Sequence, residues 1–141
     1  MVSGFTGEHE HSLDGKGRLI LPAKFRGRLE RLVITKGRDT CLHIYPPEEF
    51  ERISDELKGA GSKARQLTRW FFGSAHEDEV DSQGRIGIPE TLRRHAELEK
   101  DVTVIGNGPH VEIWDRQKWA EQSAQIENAM AQSEEFGDLP I

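Results

Sequence analysis

The sequence predicts a mixed α+β fold, mainly β with short helices, in which two tandem β-hairpin units are accompanied by flanking helices. Three observations support this prediction: a motif that occurs twice, a tight-turn signature at the start of each copy, and alternating apolar residues directly after each turn. With 141 residues, the chain has room for one ordinary domain or for two half-sized units packed together.

The repeat organises the whole chain. The segment from Asp14 to Pro22 recurs 67 residues later as the segment from Asp81 to Pro89, with aspartate, glycine, arginine and proline in the same places. The likeness continues at an offset of 69 residues, where Val33 corresponds to Val102. Similarity over most of each half indicates one structural unit used twice.

Each copy opens with the pattern Asp-x-x-Gly, which is typical of a type I turn with aspartate first and glycine fourth. The turn-shaping residues are therefore Asp14 and Gly17 in the first copy and Asp81 and Gly84 in the second. Apolar residues at every second position after each turn then predict a strand.

A short helix is expected after each of these strands, from about Ala23 and about Glu90, because a proline at the preceding position suits the first turn of a helix. Short β-branched runs predict two further hairpins, formed by residues 33–35 with 42–45 and by residues 102–105 with 111–114, with a turn at 106–109 in the second.

Three longer helices complete the prediction. Pro47 opens an amphipathic helix, Ser62 is expected to cap a second one, and Asp115 is a good N-cap for the last. The expected organisation is a first repeat with its following helix over residues 1–61, a linking helix and second repeat over residues 62–119, and a helical extension with an acidic tail over residues 120–141. Because a unit of about 60 residues is marginal alone, the two repeats should share a core or oligomerise.

Charge is distributed unevenly along the chain. The net charge of −6 and pI of 5.5 argue, on average, against a polyanionic partner such as nucleic acid. Residues 14–38, however, carry eight Lys or Arg against two acids, whereas residues 118–141 carry one Lys against five acids. A basic face on the first repeat is therefore compatible with the acidic average.

Cysteine content and hydropathy indicate in which cellular compartment the protein is expected. The longest aliphatic stretch, residues 19–21, is far shorter than the roughly 20 residues that cross a bilayer, and the N-terminus lacks the apolar run of a signal peptide. The single cysteine, Cys41, allows no intramolecular disulfide and no cysteine zinc cluster. We therefore expect a cytoplasmic protein with no membrane partner.

An arginine follows each turn directly, as Arg18 in the first copy and Arg85 in the second. A guanidinium matches the O6 and N7 acceptors of guanine, and a two-stranded ribbon can enter the major groove of DNA. These two arginines are candidate base readers, with phosphate contacts expected from the other basic residues nearby: Lys16, Lys24, Arg26, Arg93 and Arg94. The alternative is that each arginine only pairs with the aspartate of its own turn, and both interpretations stay open.

Other chemistry finds little support in the sequence. Residues 8–11 alternate Glu and His, so the two histidines share one strand face, and a surface or structural role is expected rather than a metal site. Cys41 and His43 also share a face, but no oxyanion loop or third partner accompanies them, so an inert thiol is expected. Walker, dinucleotide and serine-elbow motifs are absent. The prediction is a non-enzyme without cofactor, metal or small-molecule substrate.

The doubled motif carries a family resemblance. Asp-x-x-Gly-Arg-x-x-x-Pro, followed by Lys-Phe-Arg or Thr-Leu-Arg-Arg, resembles the AbrB-type swapped-hairpin DNA-binding domain. Two copies, with residues 71–75 (Phe-Phe-Gly-Ser-Ala) leading into the second and residues 112–115 (Glu-Ile-Trp-Asp) near its end, resemble the MraZ family of bacterial transcriptional regulators over roughly residues 4–120.

The resemblance implies tandem AbrB-like hairpin units in a pseudo-twofold double-psi or swapped-hairpin barrel that assembles into ring-shaped homo-oligomers. It also implies a nucleoid-associated repressor, including of its own operon, that binds G-rich direct repeats in promoter DNA of the division and cell-wall gene cluster. By position, Arg18 and Arg85 would read bases, Arg26 and Arg93 would support them, and the turn glycines would shape the turns. His11 and Asp78 stand where such domains often place a basic residue.

A second function is open. The acidic region from about Ser123 to Ile141 suits a protein-interaction or antitoxin-like module that grips a partner through this tail.

Overall fold

The computed structural model describes residues 2–132 and 137–141. In that part of the chain, eight strands and four α-helices are joined by turns, with 3-10 turns at Ala23–Phe25 and Gly61–Ala64. The strands are β1 (Glu8–Ser12), β2 (Arg18–Ile20), β3 (Arg31–Lys36), β4 (Leu42–Tyr45), β5 (His76–Glu79), β6 (Arg85–Gly87), β7 (Asp101–Asn107) and β8 (His110–Asp115). The helices are α1 (Pro47–Lys58), α2 (Arg65–Gly73), α3 (Glu90–His95) and α4 (Arg116–Gln132).

Strand pairing interlocks the two repeats. Six strands form one antiparallel sheet in the order β1-β7-β8-β4-β3-β5, and β2 pairs with β6 in a separate two-stranded ribbon. In the sheet, β1 of the first repeat pairs with β7 of the second, and β5 of the second pairs with β3 of the first. The predicted α+β fold of tandem, swapped hairpin units is confirmed.

The swap corrects one detail of the sequence interpretation. In the predicted hairpin units the two strands that flank each turn would pair with each other, but β1 and β5 join the sheet while β2 and β6 join the ribbon. Each turn is therefore closed by its own hydrogen bonds, and its two flanking strands are held by the other repeat. Because of this exchange, each of the four strands that flank the two Asp-x-x-Gly turns pairs with a strand of the other repeat.

The two repeats share one hydrophobic core, as the small size of each unit predicts. The inward-facing residues of the ribbon, Leu19 and Ile86, pack against sheet residues such as Ile34, Val104 and Ile113. All five are at most 1% exposed. Because residues from both repeats fill the same interior, neither repeat has a core of its own.

The alignment of the repeats is shifted by one residue on their third strand. His11 lies opposite Val102, and its counterpart Asp78 lies opposite Leu32. Leu32, rather than Val33, is therefore the structural equivalent of Val102, and both Leu32 and Val102 belong to the shared core. Because successive residues of a strand point to opposite faces, the expected match of Val33 with Val102 was wrong.

Helix and turn boundaries follow the local sequence closely. The short helical segments begin at Ala23 and Glu90 as predicted, with the preceding proline as the N-cap residue. The carboxylate of Asp115 accepts a hydrogen bond of 3.0 Å from the Lys118 N–H, which confirms the predicted cap of α4. The expected cap at Ser62 was wrong, because Ser62 lies inside a 3-10 turn and α2 begins three residues later.

The second hairpin turns later than predicted. Strand β7 continues to Asn107, which pairs with His110, so the turn contains only Gly108 and Pro109. Gly106 lies in the strand, and the N-terminal segment crosses directly over it. Only glycine fits at this position, because a Cβ there would lie 2.3 Å from the backbone nitrogen of Thr6.

Helix α4 packs against β8 near its N-terminal end, and apolar side chains further along the helix are exposed. The Trp119 ring lies 5.3 Å from that of Trp114, whereas Ile126 and Met130 are exposed. Four residues of the acidic tail, at positions 133–136, lie outside the described residues. Among the helices described, none combines the length and apolar character needed to span a membrane.

Candidate nucleic-acid interface

The outer face of the β2–β6 ribbon presents the two candidate base readers together. Leu19 and Ile86 point into the core, so the residues beside them point to solvent. On that outer face Arg18 lies opposite Gly87, and Arg85 lies opposite Ile20. The two arginines are thus diagonal neighbours, for which backbone separations of about 7 to 8 Å are typical.

Each turn is built around its aspartate. One oxygen of the Asp14 carboxylate accepts the backbone N–H groups of Lys16 and Arg18, both at 2.9 Å. The Gly17 N–H donates to the Asp14 carbonyl at 3.0 Å, which is the first-to-fourth hydrogen bond of the predicted type I turn. Gly17 has a φ of +74°, a left-handed conformation in which the chain leaves the turn for the ribbon.

The second turn repeats this geometry. Asp81 accepts the backbone N–H groups of Gln83 and Arg85 at 2.9 Å, and Gly84 has a φ of +80°. The two turns therefore present the same backbone, and they differ in their tip residues, which are Gly15 and Lys16 in the first and Ser82 and Gln83 in the second.

Each arginine pairs with its aspartate through one nitrogen. Arg18 Nε lies 2.7 Å from Asp14 Oδ2, and Arg85 Nε lies 2.7 Å from Asp81 Oδ2. Within residues 2–132 and 137–141 the terminal Nη atoms of both arginines make no hydrogen bond. The ion pair therefore fixes the direction of the guanidinium and leaves its terminal fork available, so that the two interpretations of these arginines are compatible.

The same contacts lower the pKa of both aspartates. The backbone N–H of Arg18 is the main cause that lowers the pKa of Asp14 to about 2, and the Arg18 guanidinium adds to it. The backbone N–H of Arg85 has the same effect on the pKa of Asp81. Both carboxylates stay ionised at neutral pH, which keeps both ion pairs intact.

The supporting arginines cross from one repeat to the other. The guanidinium of Arg93 covers Gly17, where a Cβ would lie 2.7 Å from Arg93 Cζ. The guanidinium of Arg26 covers Gly84, where a Cβ would lie 2.6 Å from Arg26 Cζ. Glycine is required at both turns for its conformation and for this close approach.

The two supporting arginines differ in their hydrogen bonds. Arg26 Nε donates to the Leu21 carbonyl at 2.9 Å, whereas Arg93 Nε is buried and has no hydrogen-bond partner among the described residues. Sequence reasoning named these side chains as supports without saying which turn each one contacts, and the structure places each beside the turn of the other repeat.

The remaining predicted contacts lie outside the two strands of the ribbon. Lys16 is exposed at the tip of the first turn. Lys24 and Arg94 are exposed on the short helical segments, and Lys24 Nζ lies 5.5 Å from the centre of the Phe25 ring. These three side chains flank the ribbon rather than share its outer face.

Two residues of the interface were missed by the sequence analysis. Asp78 was noted only because it replaces a basic residue, but its Oδ2 accepts the Gly87 N–H at 3.0 Å and so anchors the edge of the ribbon to β5. Ile20 is 47% exposed on the outer face, opposite Arg85. Alternation along β2 could have placed Ile20 on the outer face, whereas the contact of Asp78 depends on non-local pairing.

A separate group of potential metal ligands lies on the face of the six-stranded sheet opposite the shared core. Cys41, His43 and Glu112 bring ligand atoms within 4.8 Å of one another. Because this face is turned away from the ribbon, the group is independent of the candidate interface.

The fold and the site together define a class of protein: a tandem swapped-hairpin barrel that displays two buttressed arginines on a two-stranded ribbon. The model of a family described as "MraZ protein, putative antitoxin-like" matches residues 5–69 and 71–138. The chain belongs to the MraZ family.

Curated relatives support this assignment over most of the chain. A protein from Heliobacterium modesticaldum is 51% identical over 120 residues, covering 82% of this chain and 84% of the relative. One from Salinispora arenicola is 49% identical over 140 residues, covering 96% and 98%. A third, from Thermoanaerobacter pseudethanolicus, is 50% identical over 121 residues, covering 83% and 85%. Each of the three is named "Transcriptional regulator MraZ".

Proposed function

We propose that this protein is a sequence-specific DNA-binding transcriptional regulator that reads bases with Arg18 and Arg85. The observation that carries the proposal is the pair of ion pairs at 2.7 Å, which orient both guanidinium groups on one exposed ribbon face and leave their terminal nitrogens available. A guanidinium held in this way donates in parallel to O6 and N7 of guanine, a contact worth about 1 to 3 kcal/mol of discrimination.

The shape of the ribbon supports entry into the major groove. The groove is about 12 Å wide and admits a two-stranded ribbon, and the outer face of β2–β6 has glycine at one of its four positions. Ile20 on the same face offers an apolar contact suited to a thymine methyl group. Buttressing by Arg26 and Arg93 keeps both turns in a fixed orientation at the two ends of the ribbon.

Phosphate contacts come from the basic residues that flank the ribbon. Lys16, Lys24 and Arg94 are exposed around it and are free to reach the two strands of a duplex. The second repeat is more acidic beside the ribbon, because Asp78 on β5 contacts Gly87 there and the corresponding residue of the first repeat is His11. The first repeat therefore contributes more of the electrostatic attraction than the second.

In this proposal, assembly into an oligomer compensates for weak DNA binding by a single ribbon. Several ribbons in a ring-shaped homo-oligomer would bind consecutive G-rich boxes at once. Once one ribbon is bound, linkage raises the effective concentration of the other ribbons at the neighbouring boxes. In this proposal the protein acts on the nucleoid in the cytoplasm as a repressor, including of its own operon, at direct repeats in promoter DNA of the division and cell-wall gene cluster. It performs no catalysis and takes no small-molecule substrate.

A second candidate function is a protein-interaction or antitoxin-like module acting through the acidic C-terminal region. The observation that favours it is the exposed apolar pair Ile126 and Met130 on α4. Deletion of residues 123–141 would then abolish capture of the partner while DNA binding survives. Partner capture that persists without these residues contradicts this candidate.

Fluorescence anisotropy tests the DNA proposal. Wild type, Arg18→Ala and Arg85→Ala are titrated against a duplex with tandem G-rich boxes and against a scrambled duplex, at two salt concentrations. Arg52→Ala is the matched control, because Arg52 also forms exposed ion pairs, but with Glu49 and Glu56 on α1.

The two ribbon variants should lose their preference for the G-rich duplex by about 5- to 100-fold while remaining folded. The control should keep the preference, and every protein should bind more weakly at high salt. Ribbon variants that discriminate like wild type, or wild-type binding that ignores salt, would overturn the proposal.

A further inference from the structure

The centre of the six-stranded sheet carries a polar cluster on the face opposite the shared core. His43 on β4 lies directly opposite Glu112 on β8, and these two strands are the middle pair of the sheet. Cys41 immediately precedes β4 and is buried. The cluster therefore joins one strand from each repeat across their central pairing.

Glu112 is a buried anion without a fixed cation. Its side chain is 13% exposed, and it accepts hydrogen bonds of 2.9 Å from Asn107, His110 and Trp114. Burial alone would raise the pKa of Glu112, but the three hydrogen bonds outweigh burial and bring the pKa below its ordinary value, to about 2. Among the described residues its ion-pair partners are histidines alone, His43 and His110, and no Lys or Arg.

The imidazole of His43 is held with one nitrogen facing the Glu112 carboxylate. The Nδ1 atom of this ring lies 2.8 Å from the Tyr45 hydroxyl, which fixes the ring and turns Nε2 toward Glu112. A buried carboxylate usually has a cation partner or binds a metal, and a metal-binding histidine usually has such a partner on its second nitrogen.

The spacing of the atoms suits a tetrahedral ion. His43 Nε2 and Glu112 Oε2 are 3.4 Å apart, longer than a normal hydrogen bond. Two ligands with bonds of about 2.0 to 2.2 Å to a tetrahedral zinc ion are separated by about 3.4 Å. The Cys41 sulfur completes a group whose ligand atoms all lie within 4.8 Å of one another.

Gly37 makes this close grouping possible. A Cβ at Gly37 would lie 2.7 Å from Cys41 Sγ and 2.8 Å from His43 Nε2. Its backbone carbonyl also lies 2.8 Å from His95 Nε2, which ties the loop to α3. Any side chain at this position would push the thiol and the imidazole apart.

We propose that Cys41 Sγ, His43 Nε2 and Glu112 Oε2 bind one Zn²⁺ ion, with a water molecule as the fourth ligand. Thiolate, imidazole and carboxylate are the three ligand types that zinc takes in proteins. On binding, the sulfur–hydrogen bond of Cys41 is replaced by a sulfur–zinc bond, and the proton passes to water. The ion would neutralise Glu112 and link the two repeats at the middle of their common sheet.

Spectroscopy with Co²⁺ as a probe tests this site on the full-length protein. Wild type, Cys41→Ser and His43→Gln are freed of metal, checked by circular dichroism and titrated with Co²⁺, followed by Zn²⁺. His11→Gln is the control, since His11 lies on the ribbon side of the sheet, opposite Val102.

Wild type and the control should bind one Co²⁺ per chain, with tetrahedral visible bands and a thiolate-to-cobalt band in the near ultraviolet, and Zn²⁺ should displace it. Cys41→Ser should lose the near-ultraviolet band, and both cluster variants should bind at least about tenfold more weakly. Absence of one-to-one binding in wild type, or equal affinity in wild type and Cys41→Ser, would overturn the proposal.

Discussion

The guanidinium of Arg93 lies against the backbone of Gly17 in the turn of the opposite repeat. The pseudo-twofold counterpart is Arg26, which lies against Gly84. Each turn that presents a candidate base reader is thus supported from the other half of the chain. Precision at the interface depends on the two repeats being correctly interlocked.

Gly17→Ala should destabilise the protein. A non-glycine residue at the left-handed φ of +74° costs about 1 to 2 kcal/mol, and the new Cβ would also displace Arg93. The free energy of unfolding, measured by urea denaturation, should fall by at least that amount. Gly15→Ala is the control, because a Cβ at Gly15 meets nothing within 4 Å. Equal stabilities of the two variants would contradict the role of this contact.

Leu19→Ala should lower the free energy of unfolding by about 2 to 5 kcal/mol, because Leu19 is fully buried in the shared core. Ile20→Ala should change it by less than about 0.5 kcal/mol, since the neighbouring side chain points to solvent. Both values come from urea or thermal unfolding. A larger loss for Ile20→Ala than for Leu19→Ala would mean that the ribbon is turned the other way.

Lys16→Ala should weaken DNA binding to specific and scrambled duplexes alike and reduce the slope of log K against log salt by about 1. Gln83 occupies the same place in the second turn without a charge. Gln83→Ala should leave the slope unchanged. Titrations at four salt concentrations distinguish the two variants, and identical slopes would remove Lys16 from the phosphate contacts.

The first turn should remain closed well below pH 4. The pKa of Asp14 is lowered from 3.8 to about 2 in the folded protein. Its charged form is therefore favoured by folding, so this contribution is complete above the ordinary pKa and is lost as the pH falls through about 2. Carboxyl NMR shifts measure this pKa, with a peptide of residues 12–20 as reference. Titration of Asp14 at the peptide's pKa would contradict the hydrogen bonding described.

Local features of the fold could be predicted from the sequence because local interactions determine them. The type I turns, the start of α4 at its Asp115 cap and the alternation on the ribbon depend on residues a few positions apart. The crossing of Arg26 and Arg93 to the opposite turns could not be predicted, because it depends on which repeat supplies each partner strand.

The polar cluster of Cys41, His43 and Glu112 also could not be predicted from the sequence, because it depends on strand pairing. Alternation alone puts Cys41 and His43 on one face, but Glu112 joins them only through the register of β4 with β8. Likewise, the offset between the repeats is 70 residues at β3 and β7 rather than the expected 69, and only the observed pairings of β1 with β7 and of β3 with β5 reveal that shift.

The exchange of strands between repeats also sets the order of events during synthesis. When β1 and β2 leave the ribosome, their partners β7 and β6 have not yet been translated. The first repeat therefore emerges with unpaired strand edges, and the barrel can close only after β7 has been made. The nascent chain is exposed to aggregation or chaperone capture over that interval, in contrast to a chain whose first domain folds alone.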